Sequence, residues 1–237
     1  MATTTPRPLT AVRPLITAAE VCDFVPGEGS ADADGAWVPV DVPGDVHTAL
    51  VAAGRIEDPF YDRNEDACAW MEEREWWYRA SFDGPEAPAA GERLQLVFHG
   101  LDTYATVFLN GRELGRHANM FREAAFDVST HVLPGENRLA IRFDPPLAHA
   151  GPRDPEQWSS TPAERVWMRK AQYGFGWDWG PRLPTIGLWQ PVELLRERPI
   201  AVAVDTLDLA GLVRVRVDRE ATVRLAGIEQ TGTTLYF

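Results

Sequence analysis

Alternation of apolar and polar residues is the main pattern along the chain, and it predicts β-strands. Residues 94–98 and 139–143 place leucine, isoleucine and phenylalanine side chains at every second position. This period is typical of strands that bury one face. Between them, residues 104–109 lead into Asn110-Gly111, a pair that suits a two-residue hairpin turn with positive φ angles. Short strands separated by such turn signals predict a β-sandwich.

One short helix interrupts this pattern. Asp45 is suited to the N-cap, because its side chain can accept hydrogen bonds from the first free N–H groups of a helix. Gly54 is suited to the position just after the last turn. Val46, Leu50 and Ala53 fall on one face between these two ends. Helix is otherwise sparse, so the sequence predicts an all-β protein.

The same patterns divide the chain into three segments. Residues 1–10 are rich in threonine and proline and are predicted to be a flexible N-terminus. Residues 11–198 are predicted to form the β-sandwich domain. In residues 199–237, valines alternate with charged and polar residues, which predicts antiparallel strands of a second unit.

Charge and composition narrow the range of partners. A formal net charge of −12 argues against binding to nucleic acid or to anionic membranes, both of which require basic patches. The N-terminal residues have no apolar run that would predict a signal peptide or a membrane anchor, so we expect a cytoplasmic protein. Cys22 and Cys68 are two cysteines only, and we expect separate thiols in a reducing compartment.

Motifs for phosphate, dinucleotide, zinc and serine-hydrolase chemistry do not occur in the sequence. We therefore predict no cofactor and no metal ligand in this chain. The acidic run Glu72, Glu73 and Glu75 is expected to be a solvated surface.

The stretch from Arg169 to Arg182 carries the candidate chemistry. It places Asp178 between Trp177 and Trp179, with glycines on both sides of the triplet. Glycines permit shaped turns. Indole faces can cover the apolar C–H face of a sugar ring, and a carboxylate accepts hydrogen bonds from sugar hydroxyls. The alternative interpretation is that both indoles belong to the core and that Asp178 is a turn residue.

Several motifs together resemble the first domain of the β-mannosidases of glycoside hydrolase family 2. The resemblance extends from about residue 10 to about residue 195. The segments that carry it are Val42-Pro43-Gly44-Asp45-Val46-His47, Asp58-Pro59-Phe60-Tyr61, Trp76-Trp77-Tyr78-Arg79, Gly100-Leu101-Asp102-Thr103, Lys170-Ala171-Gln172-Tyr173, Phe175-Gly176-Trp177-Asp178-Trp179-Gly180-Pro181 and Gly187-Leu188-Trp189.

The resemblance implies a fold and a domain order. Residues 11–198 would be a jelly-roll, galactose-binding-like sandwich. Residues 199–237 would start an immunoglobulin-like domain but are too short for the about 100 residues of one, so we expect exposed or mispaired strands there. The two catalytic glutamates of the family lie on a later (β/α)8 barrel of about 250 residues, so the resemblance implies no catalytic residue in this chain. This chain alone is therefore expected to be inactive.

The resemblance also implies residue roles. Asp178 would accept hydrogen bonds from the hydroxyls of a terminal β-mannoside, and Trp177 would line the same subsite. Trp179 would pack inward and support the loop. Arg169, Lys170 and Gln172 would brace it. The chain would then be the non-catalytic N-terminal part of a retaining exo-β-mannosidase. A free-standing carbohydrate-binding module and a scaffold domain without sugar affinity are the alternatives.

Overall fold

A computed structural model describes residues 14–151, 163–198, 202–206, 213–225 and 228–236. The described residues fall into two compact units. The first lies within Met1–Pro88 and Leu94–Leu195, and the second within Ala89–Arg93 and Arg196–Phe237. No helix in the described residues is long and apolar enough to cross a membrane.

Strands dominate both units, as the alternation predicts. The strands are β1 (Ala18–Phe24), β2 (Val38–Asp41), β3 (Glu75–Gly84), β4 (Arg93–Phe98), β5 (Leu101–Asp102), β6 (Tyr104–Leu109), β7 (Arg112–Ala118), β8 (Ala124–Asp127), β9 (Gly135–Phe143), β10 (Phe175–Trp177), β11 (Gly180–Arg182), β12 (Gly187–Leu188), β13 (Val192–Glu197), β14 (Val202–Thr206), β15 (Val213–Leu225) and β16 (Ile228–Tyr236). One α-helix, α1 (Val46–Ala52), and 3-10 helices at Asn64–Glu73, Pro146–His149, Ala163–Trp167 and Gln172–Gly174 complete the described elements.

The first unit is a β-sandwich. Its large sheet has six antiparallel strands in the order β2-β1-β3-β9-β6-β7, and a second sheet has the order β13-β4-β8. Apolar side chains from both sheets form one continuous core, including Trp76 and Tyr78 from β3 and Leu96 and Phe98 from β4. Full burial of such side chains stabilises a fold by roughly 1.5–3 kcal/mol each. The prediction of an all-β sandwich is confirmed.

Local signals in the sequence form the elements that they predict. Asp45 caps α1, and its carboxylate accepts hydrogen bonds from the backbone N–H groups of His47 and Thr48 at 2.8 and 3.3 Å. Asn110 and Gly111 connect β6 to β7 with φ angles of 52° and 79°. Such a turn matches the twist of the two strands.

The two cysteines are free and buried. Burial raises the pKa of both thiols, and the nearby charge of Asp23 raises that of Cys22 further. The expected separate thiols are therefore present.

The second unit contains an antiparallel sheet of order β14-β15-β16. β15 is a single strand with an irregularity between Arg216 and Ala221, so both valine-rich patterns from 213 to 225 belong to one strand. Only Val215, Val217 and Leu235 are buried within the described part of this unit, while Val202 and Val204 are exposed. The assignment of this segment to an incomplete immunoglobulin-like domain stays a prediction.

Candidate carbohydrate-binding site

The Trp-Asp-Trp triplet lies at the tip of a short hairpin. β10 pairs with β11 so that Phe175 faces Arg182 and Trp177 faces Gly180. Asp178 and Trp179 therefore form a two-residue turn. The hairpin begins from a buried residue, since Phe175 is only 1% exposed.

The tip of the hairpin is exposed. Trp177 is 50% and Trp179 73% exposed, and Asp178 is exposed as well. The expectation that Trp179 packs inward is therefore wrong for the described residues. The reason is its position in the turn, beyond the last pair of the ladder, where its ring lies beside the ring of Tyr173 at a centroid distance of 6.2 Å. Both indoles are surface groups, which excludes the interpretation that they are core.

Arg182 anchors the base of this hairpin. Its Nη2 donates to both carboxylate oxygens of Glu72 at 2.7 Å, and its backbone N–H donates to Glu65 Oε2 at 2.6 Å. Its guanidinium also lies 5.5 Å from the ring centre of Phe175. Bidentate pairs of this kind are stronger and more directional than single hydrogen bonds. The 3-10 helix Asn64–Glu73 thus holds the hairpin through two acidic residues.

This contact corrects one expectation from the sequence. Glu72 and Glu75 are buried rather than solvated, at 9% and 4% exposure. Glu75 accepts hydrogen bonds from Trp77 Nε1 at 2.7 Å and from the backbone N–H of Gly27 at 3.1 Å. A run of charge is polar in sequence, but each of these carboxylates has specific donors that compensate for its loss of water. Arg182, which sequence reasoning missed, is the donor for Glu72.

Charged and hydroxyl side chains from both sides of the hairpin in the sequence meet in one cluster, and we call it the Asp102 cluster: Asp102, Thr103, Lys170 and Thr185. Asp102, Thr103 and Lys170 are buried, whereas Thr185 is exposed. Lys170 Nζ lies 2.5 Å from Asp102 Oδ1 and also donates to the carbonyl of Thr185. The hydroxyl of Thr185 donates to Asp102 Oδ2 at 2.7 Å, and that of Thr103 donates to Oδ1. Desolvation lowers the pKa of Lys170, although the charge of Asp102 opposes this shift. The cluster ties the chain before the hairpin to strand β5.

The other two residues expected to brace the loop make different contacts. Gln172 Nε2 donates to the carbonyls of Arg165 and Lys170 at 2.9 and 3.2 Å. Arg169 contributes its backbone, because its carbonyl accepts from Met120 N at 2.9 Å, while its side chain is exposed. Both contacts fix the course of the main chain on the way to the hairpin, and the brace roles stay a prediction.

Trp177 has one further neighbour with a defined geometry. The guanidinium of Arg165 lies 5.7 Å from the centre of the indole ring, within the range of a cation–π contact. The tip therefore offers an apolar ring surface next to a carboxylate acceptor. In the described ranges, no cluster of histidine, cysteine or acidic residues could hold a metal ion.

Fold and site define a galactose-binding-like β-sandwich that carries an exposed aromatic and acidic hairpin. The chain belongs to the glycosyl hydrolase 2 galactose-binding domain-like family, whose model matches residues 27–190. This family membership confirms the resemblance that the sequence motifs indicate.

Relatives of this chain include several β-mannosidases. The chain is 40% identical over 176 residues to β-mannosidase B of Emericella nidulans, covering 71% of this chain and 20% of that protein. It is 34% identical over 169 residues to the β-mannosidase of Bos taurus, covering 66% and 19%. The crystal structure of the β-D-mannosidase of Dictyoglomus thermophilum superposes with a TM-score of 0.72 at 28% identity, covering 96% of this chain and 30% of that one. The aligned part of the chain thus spans about a fifth of the length of the Emericella nidulans and Bos taurus enzymes.

Proposed function

We propose that this chain is the non-catalytic N-terminal part of a retaining exo-β-mannosidase, an enzyme that hydrolyses terminal β-D-mannose residues. Its hairpin supplies one wall of the mannose subsite. The observation that carries this proposal is the exposed Trp177-Asp178 pair on an anchored hairpin. The names of the relatives support the substrate class.

In this proposal Trp177 and Asp178 have separate roles. The carboxylate of Asp178 accepts hydrogen bonds from sugar hydroxyls, and the ring of Trp177 contacts the apolar side of the sugar. Sites for small ligands enclose about 70–90% of the ligand surface. A hairpin covers one side of a ligand only, so in this proposal the remaining walls come from the rest of the immunoglobulin-like domain and from the (β/α)8 barrel of the complete enzyme.

The catalytic step also belongs to that other part of the enzyme. Hydrolysis with retention needs two carboxyl groups about 5–5.5 Å apart, one as nucleophile and one as acid and base. We assign neither role to any residue of this chain. The isolated chain is inactive in this proposal.

Replacement of Asp178 in the complete enzyme tests the role of the hairpin. A hydrogen bond to a charged acceptor contributes about 1.5–3 kcal/mol, so Asp178→Asn should lower kcat/KM on an aryl β-mannoside by roughly 10- to 100-fold. Asp83→Asn, which removes an exposed carboxylate at the end of β3, is the matched control and should leave the kinetics unchanged. Equal kinetics for Asp178→Asn and wild type would show that Asp178 does not contribute to the subsite.

The size of the natural product tests the proposal that the chain is part of a longer enzyme. An immunoblot of source cells with an antibody against this chain should show a band several times larger than 26.4 kDa. A band at the size of the chain itself would favour a free-standing carbohydrate-binding module. In that case, titration with mannose should quench the fluorescence of the exposed indoles saturably. If the chain supplies only one wall of a subsite, mannose should cause almost no quenching.

A further inference from the structure

A groove of about 800 Å³ lies on the outer face of the six-stranded sheet. Strands β1, β3, β9 and β6 form its floor, and residues 30–32 form one of its walls. It shares no residue with the Trp-Asp-Trp hairpin. Its volume is within the range of about 300–1,000 Å³ that is typical of sites for small molecules.

The register of the sheet explains why a depression forms here. Glu20 pairs with Arg79, Arg79 pairs with Ala140, and Ala140 pairs with Phe108, so these four residues make one row across four strands. Paired residues point to the same face of a sheet. The methyl side chain of Ala140 thus lies between the guanidinium of Arg79 and the ring of Phe108. Because this side chain is small, the surface of the sheet is depressed at the centre of the row.

Three contacts orient the guanidinium of Arg79 in the polar wall of the groove. Arg79 Nε donates to Glu20 Oε2 at 2.8 Å, and Nη1 donates to the carbonyl of Ala31 at 3.2 Å. The guanidinium also lies 4.0 Å from the ring centre of Trp37. A guanidinium has five N–H donors. Two of those on Arg79 are used by acceptors in the described part of the chain, so others remain for a ligand.

The opposite wall is aromatic. The rings of Phe108 and Trp77 stack at 5.4 Å with an interplanar angle of 26°. Trp77 is buried, whereas Phe108 is partly exposed and lines the groove. Aromatic side chains in such a position cover the C–H face of a sugar ring.

The charges in the groove select the class of ligand. Three carboxylates, Glu20, Asp32 and Glu136, accompany two arginines, Arg79 and Arg138. Because negative and positive side chains are mixed, the groove has no basic patch for a phosphate or another anion. Hydrogen-bond donors and acceptors lie side by side in it. A peptide that adds to a sheet needs the free edge of a strand, but this groove lies on the face of interior strands. We propose that the groove binds a neutral oligosaccharide chain, at a site separate from the hairpin.

Titration of the whole chain with neutral oligosaccharides of four to six units tests this proposal. The panel contains manno-, cello- and xylo-oligosaccharides, and binding is measured by calorimetry. Ala140→Phe fills the centre of the groove and should weaken binding at least about tenfold. Ala125→Phe, on an exposed position of β8 in the other sheet, is the matched control and should bind as wild type does.

Two further variants keep the result interpretable. Ser81→Leu obstructs the groove from an exposed position and should also weaken binding, so a folding defect in Ala140→Phe does not decide the outcome. Asp178→Asn should leave this binding unchanged, which separates the groove from the proposed mannose subsite. The proposal is overturned if no member of the panel binds the wild-type chain, or if binding is insensitive to both groove variants. Loss of binding in Asp178→Asn alone would assign the sugar to the hairpin.

Discussion

At the scale of single residues, the most deeply buried ion pair of the described part joins Lys170 to Asp102. Each side chain is 1% exposed. Removing water from two charges is costly, and the Asp102 cluster offsets this cost with donors from Thr103 and Thr185. A pair of this kind fixes the chain in one arrangement, because any other arrangement leaves a charge without partners.

Replacement of Lys170 should therefore be strongly destabilising. Lys170→Met leaves Asp102 buried without its cation and should lower the free energy of unfolding by about 3 kcal/mol or more. Urea denaturation of the whole chain measures this. Arg63→Met breaks the exposed Arg63–Asp66 pair, whose side chains are 83% and 59% exposed, and should cost at most about 1 kcal/mol. Equal losses in the two variants would contradict the special role of the buried pair.

Single residues are also where sequence reasoning is weakest. Asp178 and Trp177 could be singled out because an acid between two indoles is unusual and the surrounding glycines favour a loop. Glu72 looked like a surface residue, because its partner Arg182 lies 110 positions away in the chain. Burial of a charge depends on such distant partners, and a run of acidic residues carries no information about them.

At the scale of elements, the hairpin depends on a glycine with unusual backbone geometry. Gly176 has a φ of +93°, in the region that favours glycine. Gly180, across the turn, does not have such a φ angle, and a Cβ atom added to it would meet no neighbour within 4 Å. Residues with a Cβ pay roughly 1–2 kcal/mol in left-handed conformations. The two glycines of one hairpin therefore form an internal comparison.

Gly176→Ala should loosen the hairpin, and Gly180→Ala should not. Hydrogen exchange of the amides in β10 and β11 is expected to accelerate about 5- to 30-fold in the first variant, the equivalent of roughly 1–2 kcal/mol. In the second variant the rates should stay within a factor of two to three of wild type, roughly 0.5 kcal/mol. Equal rates in both variants would show that the φ angle of Gly176 does not limit the hairpin.

Helix α1 gives a prediction about pH. Desolvation raises the pKa of Asp45, but the imidazole of His47, whose Nδ1 lies 3.5 Å from Asp45 Oδ1, and the backbone donors of His47 and Thr48 outweigh it and lower the pKa below its usual value. A carboxyl group with a lowered pKa stabilises the folded state above its unfolded pKa, near 3.8, and this stability is lost as the pH falls through the folded value.

Asp45→Asn keeps a capping side chain but removes the charge. Its free energy of unfolding should fall less than that of wild type when the pH is lowered below about 4. Asp45→Ala should lose about 1 kcal/mol at neutral pH. Chemical denaturation at several pH values measures both effects, and identical pH profiles for Asp45→Asn and wild type would contradict the assigned role. Caps and tight turns such as these could be predicted because their signals lie within a few residues of one another.

At the scale of the whole molecule, the two units differ in the size of their cores. The described part of the second unit buries Val215, Val217 and Leu235, whereas the core of the first unit draws on both sheets of the sandwich. Stability grows with the apolar surface that a fold buries. Val202 and Val204 remain exposed on the outermost strand.

The second unit should accordingly open more easily than the first. Amides of β14 to β16 are expected to exchange at least about a hundredfold faster than those of β3, β6 and β9, a difference of about 2.7 kcal/mol or more. Mass spectrometry after hydrogen exchange resolves these segments by digestion. Val215→Ala should accelerate exchange in β14 to β16 further while leaving β3 unchanged. Uniform exchange across both units would contradict this difference.

The class of the whole fold could be predicted from the sequence, but its strand order could not. Alternation and turn signals identify strands one at a time, and they carry the β-sandwich assignment. The order β2-β1-β3-β9-β6-β7 brings together strands from distant parts of the chain. Such pairing follows from the packing of whole sheets, and the groove at Ala140 is visible only once β1, β3, β9 and β6 are aligned.

Lys170 is the only lysine in the sequence, and its amine is enclosed by the Asp102 cluster. A reagent that acylates amines should therefore leave Lys170 of the folded chain unmodified. An adduct on Lys170 can form only when the cluster opens and releases the ammonium group to solvent. The rate at which the peptide that contains Lys170 gains this adduct would report the opening of this region directly, without any engineered residue.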